Sequence, residues 1–488
     1  MKKEKLRILY VSPEVDPFVK AGGLGDVSRA LPLALKKLGH DVRIVMPRHY
    51  MQHPEQFHIK PLFRRVSVQM DDERINFNVD KATLGGIPVY FVDNKDLFRT
   101  RSAVYGYIDD GLRFAFFCKA LLKIPELLDW SPDIVHTNDW LTGLVGNYLK
   151  TSYKHSSTYK NAASVFTIHN LAYQGTFNRL TLRPEEIDSG GALPKYNTVM
   201  FNTVNFMKRG IIYADAITTV SEQYAKEITT PQYGEGLDAL LLERQSKLTG
   251  IVNGVDYEYF DPEHDPVIAS HYNARHIHAK NDSKIALQKE FGLEVNKNIP
   301  LIGIVSRLAP MKGFDLLLEI LPTLLEMPCQ FIIVGEGEKK FHDAFWEASK
   351  THPKKIAVHL QFDTGIAQKI YAGSDIYLMP SLYEPCGISQ LLSSRYGSVP
   401  VVRATGGLVD TIKDYNPQTE EGNGFVFTQY QSIDLYGAII RALEIYKNKG
   451  AWRKLVKKVM KLEFSWEKAA EKYLNVYHQA SQEKEKQS

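Results

Sequence analysis

The sequence predicts an α/β protein made of two similar halves, each a doubly wound, mostly parallel sheet of the Rossmann-like type. Short runs rich in Val, Ile and aromatic residues alternate with longer segments of helical period. The strand candidates are mostly apolar, as expected when helices cover both faces of a parallel sheet. The pattern restarts after residue 300. A chain of 488 residues is long enough for two or three domains.

The first half combines strand–helix alternation with one segment of a different character. The helix-period stretch GDVSRALPLALKKLGH follows the first strand, and Gly39 stands where such a helix would end. Residues 61–92 instead suggest strand–turn–strand, so we expect a β insertion or sheet extension there. The strand candidates of this half are RILYVS, DVRIVMP, PVYFVD, PDIVHT, ASVFTIH, AITTV and KLTGIVN.

The second half shows the same alternation. A segment rich in Asp, Pro and turn residues, 253–275, is the expected connector between the halves. The last helical segment is SWEKAAEKYLNVYHQASQ. We therefore predict domains at 1–255 and 256–463, with a final helix in 464–488. The strand candidates of the second half are PLIGIVSRL, CQFIIVGEG, KIAVHL, SDIYLMPS and VPVVRAT.

Composition excludes several classes of protein. Hydrophobic residues make up 44% and charged residues 24%, which is typical of a globular chain. With 60 basic and 56 acidic residues and no long basic block, nucleic acid is not an expected partner. Three scattered cysteines argue for a reducing compartment and against a disulfide framework or a zinc site. We see no signal peptide and no apolar run long enough for a membrane span, so we expect the cytoplasm, or the plastid stroma for a plant source.

The first candidate binding motif is the segment KAGGLGD, which follows the first strand. Ligands of open α/β sheets bind beyond the carboxyl ends of the strands. Gly23 and Gly25 match the first two glycines of a dinucleotide fingerprint, but the third position is Ser28, which weakens an NAD-dependent dehydrogenase reading. The segment suits a phosphate group instead. Its glycines let backbone N–H groups approach a ligand closely, the start of a helix favours anions, and Lys20 adds a positive charge. A tight turn with a surface lysine is the plainer alternative.

Two cations and a carboxylate follow strands of the second half. Arg307 and Lys312 lie in SRLAPMKG, where they could clamp a diphosphate and stabilise it as it departs. Glu384 lies in YEPCG and could bind sugar hydroxyls or face developing positive charge. The segment TGGL at 405–408 offers N–H donors at a helix start. For each, an ordinary solvated loop is the alternative interpretation.

Three further residues have both a functional and a structural reading. Asp139 in HTNDW could bind a hydroxyl-rich ligand or cap a helix. His169 in TIHNLAYQG could be catalytic, but a lone histidine after a strand is more often a structural hydrogen-bonding group. Cys386 could be a reactive thiol, although a small buried residue is the more frequent case. We find no Walker A loop, zinc-protease helix, nucleophile elbow or EF-hand loop.

Together these segments resemble the bacterial glycogen synthases and plant starch synthases. The resemblance runs from about residue 6 to 480 and is carried by KAGGLGDV, HTNDW, TIHNLAYQG, TVSEQYAKEI, NGVD, SRLAPMKG, EPCGISQL and TGGLVDT. It implies the GT-B fold, with two Rossmann-like domains facing a central cleft. The glucan acceptor would belong to the first domain and the sugar nucleotide to the second, with the last helix crossing back to the first.

The resemblance also implies a reaction. Glucose would move from ADP-glucose to the non-reducing end of an α-1,4-glucan with retention of configuration, without a cofactor or a metal. A UDP-glucose-using enzyme of the same fold stays open, as do a dehydrogenase and a non-catalytic glucan-binding protein. The broader family has a second glutamate where Leu392 stands, and Gln390 matches the glycogen synthase pattern. Ala21 replaces the Thr or Val of many members.

Residue roles follow from the same resemblance. The residues implied in catalysis are Glu384, His169, Asp139, Arg307 and Lys312. Those implied in substrate binding are Lys20, Gly22, Gly23, Asp26, Asn170, Asn253, Cys386, Gly387, Thr405, Gly406 and Gly407.

Overall fold

The chain forms two compact units. A computed structural model describes residues 5–70, 73–178, 203–361 and 363–486. The first unit comprises Met1–Gly254 together with Trp466–Ser488, and the second comprises Val255–Ser465. Among the described residues, no helix has the length and apolar character needed to cross a membrane.

The first unit is built on one sheet of nine described strands. Their spatial order is β11-β10-β7-β6-β1-β2-β5-β4-β3. The strands are β1 (Arg7–Val11), β2 (Asp41–Pro47), β3 (Lys60–Met70), β4 (Glu73–Leu84), β5 (Ile87–Asp93), β6 (Ile134–Asn138), β7 (Ala163–Ile168), β10 (Ala216–Thr219) and β11 (Leu248–Gly250), with β8 (Thr176–Asn178) and β9 (Thr203–Asn205) as a separate antiparallel pair. The helices are α1 (Gly23–Lys37), α2 (Asp110–Ala120), α3 (Lys123–Leu127), α4 (Leu144–Lys150), α5 (Phe206–Tyr213), α6 (Glu222–Glu227), α7 (Asp238–Glu243) and, from the chain's end, α16 (Trp466–Lys486).

The strand order of this sheet reverses at β1. β1 pairs in parallel with β2 on one side and with β6 on the other. The loops that follow β1 and β6 therefore diverge, and such a switch point is where ligands bind in doubly wound sheets. Helix α1 ends near Gly39, which has φ +96° and donates its N–H to the Lys36 carbonyl. The prediction of a helix stop there is confirmed.

The segment 61–92 extends the main sheet. β5 pairs in parallel with β2, whereas β4 pairs antiparallel with both β5 and β3. The two-residue turn between β4 and β5 consists of Gly85 and Gly86, both at positive φ, where a side chain would be strained. The antiparallel strands thus form one edge of the first unit's sheet.

Helix α16 belongs to the core of the first unit although it follows the second unit in sequence. Its apolar side chains recur every three or four residues, at Trp466, Ala470, Tyr473, Tyr477 and Ala480, and lie in the same buried cluster as the side chains of β1. The Tyr477 hydroxyl is also hydrogen-bonded to Nδ1 of His136 in β6, at 2.7 Å. The helix therefore completes one face of the sheet.

The second unit contains a six-stranded parallel sheet of order β14-β13-β12-β15-β16-β17. Its switch point lies between β12 and β15, which pair in parallel. The strands are β12 (Leu301–Val305), β13 (Gln330–Val334), β14 (Ile356–His359), β15 (Ile376–Met379), β16 (Val399–Arg403) and β17 (Phe425–Phe427). The helices are α8 (Lys280–Glu290), α9 (Phe314–Glu326), α10 (Lys339–Thr351), α11 (Thr364–Gly373), α12 (Ser389–Arg395), α13 (Gly407–Thr411), α14 (Ser432–Lys447) and α15 (Lys449–Val459).

Candidate active site

The glycine-rich segment of the first unit lies in the loop between β1 and α1. Gly22 is the residue before the helix and Gly23 is its first residue, so the loop presents backbone N–H groups at a helix start. Lys20 Nζ lies 2.6 Å from Oδ1 of Asp26, and both side chains are more than a third exposed. The lysine charge is therefore held over the start of α1 by a solvent-accessible ion pair.

A buried carboxylate that sequence analysis did not identify holds this loop in place. Glu14 is 5% exposed. Its Oε2 accepts hydrogen bonds from the backbone N–H groups of Ala21 and, at 3.0 Å, of Gly22. Burial raises the pKa of Glu14, while these N–H groups act in the opposite direction. The segment SPEVDP contains no recognisable binding motif, and only the fold brings its glutamate to the glycine loop.

Asp139, directly after β6, has an unusual backbone conformation. Its φ of +56° lies in the left-handed region that non-glycine residues seldom adopt. It stands before a short 3₁₀ helix, but its side chain makes no capping bond there. Oδ1 instead accepts the His169 N–H at 2.7 Å. Burial raises the pKa of Asp139 to about 7. Hydrogen bonds from the His169 and Asn170 amides lower this pKa in part, and the charge of Glu14 adds to the rise.

The ring of His169 is oriented by the amide of Asn138. Asn138 Nδ2 donates to the Val11 carbonyl at 2.9 Å, which directs its Oδ1 toward His169. His169 Nε2 lies 2.9 Å from that oxygen and must therefore carry the proton. Burial lowers the pKa of His169 to about 3, so the ring is neutral at pH 7. Nδ1 is then an acceptor suited to a sugar hydroxyl.

Two asparagines complete the predicted residues of the first unit. Asn170 Oδ1 accepts the Ala172 N–H at 3.0 Å, which shapes the loop after β7. Asn253 is 5% exposed, and its Oδ1 has no hydrogen-bond partner within the described chain. A buried carbonyl oxygen without a partner is costly unless a ligand or water satisfies it.

In the second unit the fold brings Lys312 and Glu384 together at the switch point. Lys312 follows β12 and Glu384 follows β15. Lys312 Nζ donates to Oε2 of Glu384 at 2.6 Å, and Ser381 Oγ donates to the same oxygen at 3.1 Å. Glu384 is 8% exposed, so its charge depends on these two partners. Arg307, in the same loop as Lys312, is exposed.

The loop that carries Arg307 is hydrogen-bonded to the loop that follows β13. The Leu308 N–H donates to the Glu336 carbonyl at 2.8 Å, and the Glu338 N–H donates to the Leu308 carbonyl at 2.7 Å. A Cβ at Gly337 would stand 2.2 Å from the Leu308 carbonyl oxygen. The segment GEG therefore supports the cationic loop, because only glycine permits this approach.

The segment TGG packs its backbone against the turn that contains Glu384. The Gly407 N–H donates to the Glu384 carbonyl at 3.2 Å. A Cβ at Gly406 would lie 2.0 Å from that carbonyl oxygen, and one at Gly407 would lie 2.0 Å from the carbonyl oxygen of Cys386. Thr405 is 1% exposed, and its Oγ1 has no hydrogen-bond partner within the described chain. The loop thus places an unsatisfied hydroxyl beside the carboxylate turn.

Cys386 and Gly387 form the rest of this turn. Cys386 is 6% exposed, in keeping with the structural reading of that residue. Gly387 has φ +70°, a conformation that favours glycine. In the described part of the chain, His, Cys, Asp and Glu side chains form no group of three placed to hold a metal ion.

Two families of known proteins match most of the chain. The profile of the starch synthase catalytic domain matches residues 7–243, and that of glycosyl transferases group 1 matches residues 287–459. The glycogen synthase of Moorella thermoacetica is 46% identical over 479 residues, covering 97% of each chain. That of Thermotoga maritima is 42% identical over 487 residues, covering 97% of this chain and 99% of its own.

A solved structure matches over nearly the whole chain. The catalytic domain of starch synthase IV from Arabidopsis thaliana, solved with ADP and acarbose, superposes with a TM-score of 0.88 at 31% identity, covering 98% of this chain and all of that one. Two doubly wound units matched to such enzymes define a glycosyltransferase of the GT-B fold, and the predicted fold class is confirmed. The chain belongs to the glycogen synthase and starch synthase family, and it is an enzyme that transfers glucosyl units to a glucan.

Proposed function

We propose that the protein transfers glucose from ADP-glucose to the 4-hydroxyl at the non-reducing end of an α-1,4-glucan, with retention of configuration. The observation that carries the proposal is the arrangement at the switch point of the second sheet. Lys312 is paired with the buried Glu384, and the unsatisfied Thr405 hydroxyl lies on the adjoining loop. The Arabidopsis starch synthase bound to ADP and acarbose supports the choice of donor and acceptor class.

The cations of the second unit are proposed to hold the donor's diphosphate. Arg307 presents a planar fork of N–H donors, which suits two phosphate oxygens, and Lys312 adds a compact charge. The Thr405 hydroxyl and the N–H groups around Gly406 add neutral donors. Such fixed donors stabilise charge as it develops on the leaving diphosphate, a role that other transferases give to a metal ion.

The first unit's side chains are proposed to bind hydroxyl groups of the sugars. The neutral His169 offers Nδ1 as an acceptor, and protonated Asp139 can donate a hydrogen bond where the ionised form can only accept. Asn253 has a carbonyl oxygen to offer. Lys20 and the N–H groups of Gly22 and Gly23 are proposed to meet the donor's phosphate or glucose.

Retention is proposed to arise from attack on the same face of the sugar through a short-lived ion pair. Hydrogen bonds that stabilise the charge of a carboxylate make it a weaker nucleophile, and Lys312 and Ser381 both donate to Oε2 of Glu384. We propose instead that the Glu384 charge faces the oxocarbenium-like sugar. The bond from C1 to the diphosphate oxygen breaks with both electrons going to that oxygen. The acceptor 4-hydroxyl then bonds to C1 and gives its proton to the departing phosphate.

One experiment tests the proposal. The full chain is incubated with glycogen and radiolabelled ADP-glucose or UDP-glucose, and polymer-bound label is counted. We expect incorporation from ADP-glucose, and α-anomeric linkages in the product by NMR. Lys312→Ala and Glu384→Ala should each lower the rate about 10³-fold, whereas Lys339→Ala, at an exposed ion pair of the same unit, should leave it unchanged.

The results separate the alternatives. Transfer that survives both substitutions would overturn the site assignment. Faster incorporation from UDP-glucose would overturn the donor assignment alone. Saturable glucan binding with no transfer from either donor would favour a non-catalytic glucan-binding protein. A covalent glucosyl-enzyme trapped with a slow donor would contradict the ion-pair step.

A further inference from the structure

The second unit carries a polar cavity at the edge of its sheet opposite the Lys312–Glu384 pair. The cavity has a volume of about 220 Å³. Lys297 and Asn298 on its wall precede β12, and Asp375 on its floor directly precedes β15. The cavity therefore lies at the amino ends of the strands, whereas Lys312 and Glu384 follow their carboxyl ends. It is distinct from the site described above.

The lining of this cavity is strongly basic. Its basic side chains come from three separate segments, the turn and helix at 278–284, the loop before β12, and the start of α15. Among the residues that line it, Asp375 is the one acid. The basic lining residues are His278, Lys280, Lys284, Lys297, Lys449 and Arg453.

The charges on the floor are satisfied by the protein. Lys280 Nζ donates to the carbonyls of Ala372 at 2.7 Å and Tyr396 at 3.0 Å. Lys284 Nζ donates to Oδ2 of Asp375 at 2.5 Å. The single acid is thus already paired with a buried lysine, so one carboxylate serves all the cations of the cavity.

The charges on the rim have no counter-ion. The side chains of Lys297, Arg453 and His278 make no hydrogen bond or ion pair within the described chain, and all three residues are exposed. Lys449 Nζ stands 3.2 Å from the centre of the Tyr446 ring. Cations gathered from separate segments repel one another unless an anion joins them.

Burial acts against the charge of two lysines at this cavity. Burial lowers the pKa of Lys280 to about 7, and the charge of Lys284 lowers it further against the attraction of Asp375. Burial likewise lowers the pKa of Lys449, with Asp375 acting against the fall and Lys284 adding to it. A bound anion would oppose the effect of burial, because it favours the charged form of each lysine.

We propose that this cavity binds a phosphoryl group, either as inorganic phosphate or as part of a small sugar phosphate. Arginine and lysine together suit a phosphoryl group, the first by its fork of donors and the second by its point charge. Helix α8 begins at the cavity, and helix starts favour anions, whereas the first N–H groups of α15 already donate to the Asn448 side chain. The volume of about 220 Å³ fits a phosphoryl group with a small substituent.

The test measures binding to the full chain by isothermal titration calorimetry at constant ionic strength. The background is Arg307→Gln with Lys312→Gln, which removes the cations proposed for the donor diphosphate. Inorganic phosphate and fructose 6-phosphate are titrated separately, and circular dichroism confirms the fold of each variant. We expect saturable binding of one equivalent, and an increase in Kd of about tenfold or more with Lys449→Gln and Arg453→Gln.

A matched pair of substitutions provides the control. Lys457→Gln and Lys461→Gln remove two charges from the same helix and the turn after it, and neither residue lines the cavity. Their Kd should stay within twofold of the background. Tighter binding of fructose 6-phosphate than of phosphate would assign a sugar phosphate, and the reverse would assign the free anion.

Three results would overturn the inference. The first is an absence of saturable binding, and the second is equal weakening by the two pairs of substitutions. The third is phosphate binding that the unaltered chain shows and the Arg307 and Lys312 background lacks. That third result would place the phosphoryl group at the other edge of the sheet and leave the proposed transfer reaction intact.

Discussion

The carboxylate of Glu14 provides a sharp test of how the glycine loop is held. Its Oε2 accepts the Ala21 and Gly22 N–H groups, and charged hydrogen bonds contribute about 1.5–3 kcal/mol each. Ala21 and Gly22 are exposed, so water can rehydrate both N–H groups after a substitution. The net cost of Glu14→Ala to the ordered loop should therefore be near the value of one bond, about 1.5–3 kcal/mol.

That free energy sets the expected kinetics. A cost of 1.4 kcal/mol is a tenfold change in an equilibrium, so Glu14→Ala should lower kcat/KM for the donor by about 10–100-fold. Glu14→Gln keeps one acceptor oxygen without the charge, and we expect a smaller loss of about 3–10-fold. Initial rates over a range of donor concentrations at saturating glycogen measure both.

Two controls separate loop positioning from general damage. Glu222→Gln removes an exposed carboxylate of the same unit and should leave kcat/KM within twofold. Thermal unfolding should show each Glu14 variant still folded at the assay temperature. The reasoning is refuted if Glu14→Ala keeps kcat/KM within twofold, because the loop would then not depend on the carboxylate.

Three further predictions follow from single contacts. The pKa of Asp139 is about 7 in the folded chain, above its ordinary value. Its contribution to stability is therefore full below about pH 4 and is lost as the pH rises through 7. Asp139→Asn should remove this part of the pH dependence of Tm, and parallel Tm–pH profiles for the two proteins would contradict the assignment. Tyr477→Phe breaks the buried hydrogen bond to His136 and should cost about 1–3 kcal/mol in urea unfolding, with no loss expected if the bond is dispensable. Gly407→Ala should lower the free energy of unfolding by about 1–3 kcal/mol and impair transfer, because the new Cβ would lie 2.0 Å from a backbone carbonyl oxygen. The control Gly437→Ala adds a Cβ in open space within a helix, and it should leave transfer unchanged and raise Tm slightly.

Much of the architecture was predictable because it depends on local patterns. The segment ILYV is apolar throughout, which is the signature of a strand buried on both faces, and it forms most of β1 at the centre of the first sheet. The rule that ligands bind after the strands then directed attention to Lys312 and Glu384. The structure places these two side chains in contact.

The site details that escaped prediction depend on contacts distant in sequence or on backbone conformation. Glu14 had no recognisable motif, since its role arises when the chain folds back and sets the glycine amides over it. Asp139 has a positive φ that no local sequence rule for aspartate requires. The proton position on His169 follows from Asn138, whose amide is oriented by β1, 127 residues earlier in the chain. Local periodicity contains no information about such pairings.

The return of α16 to the first unit has a consequence for synthesis and for engineering. The hydrophobic core around β1 includes Trp466, Tyr473 and Tyr477, which the ribosome makes only after the entire second unit. During translation the first unit therefore leaves apolar surface uncovered until α16 has been made. The second unit is continuous in sequence and can complete its folding first. A fragment ending at Gly254 would leave that surface exposed, so the first unit is expected to need α16, joined or added in trans, to avoid aggregation.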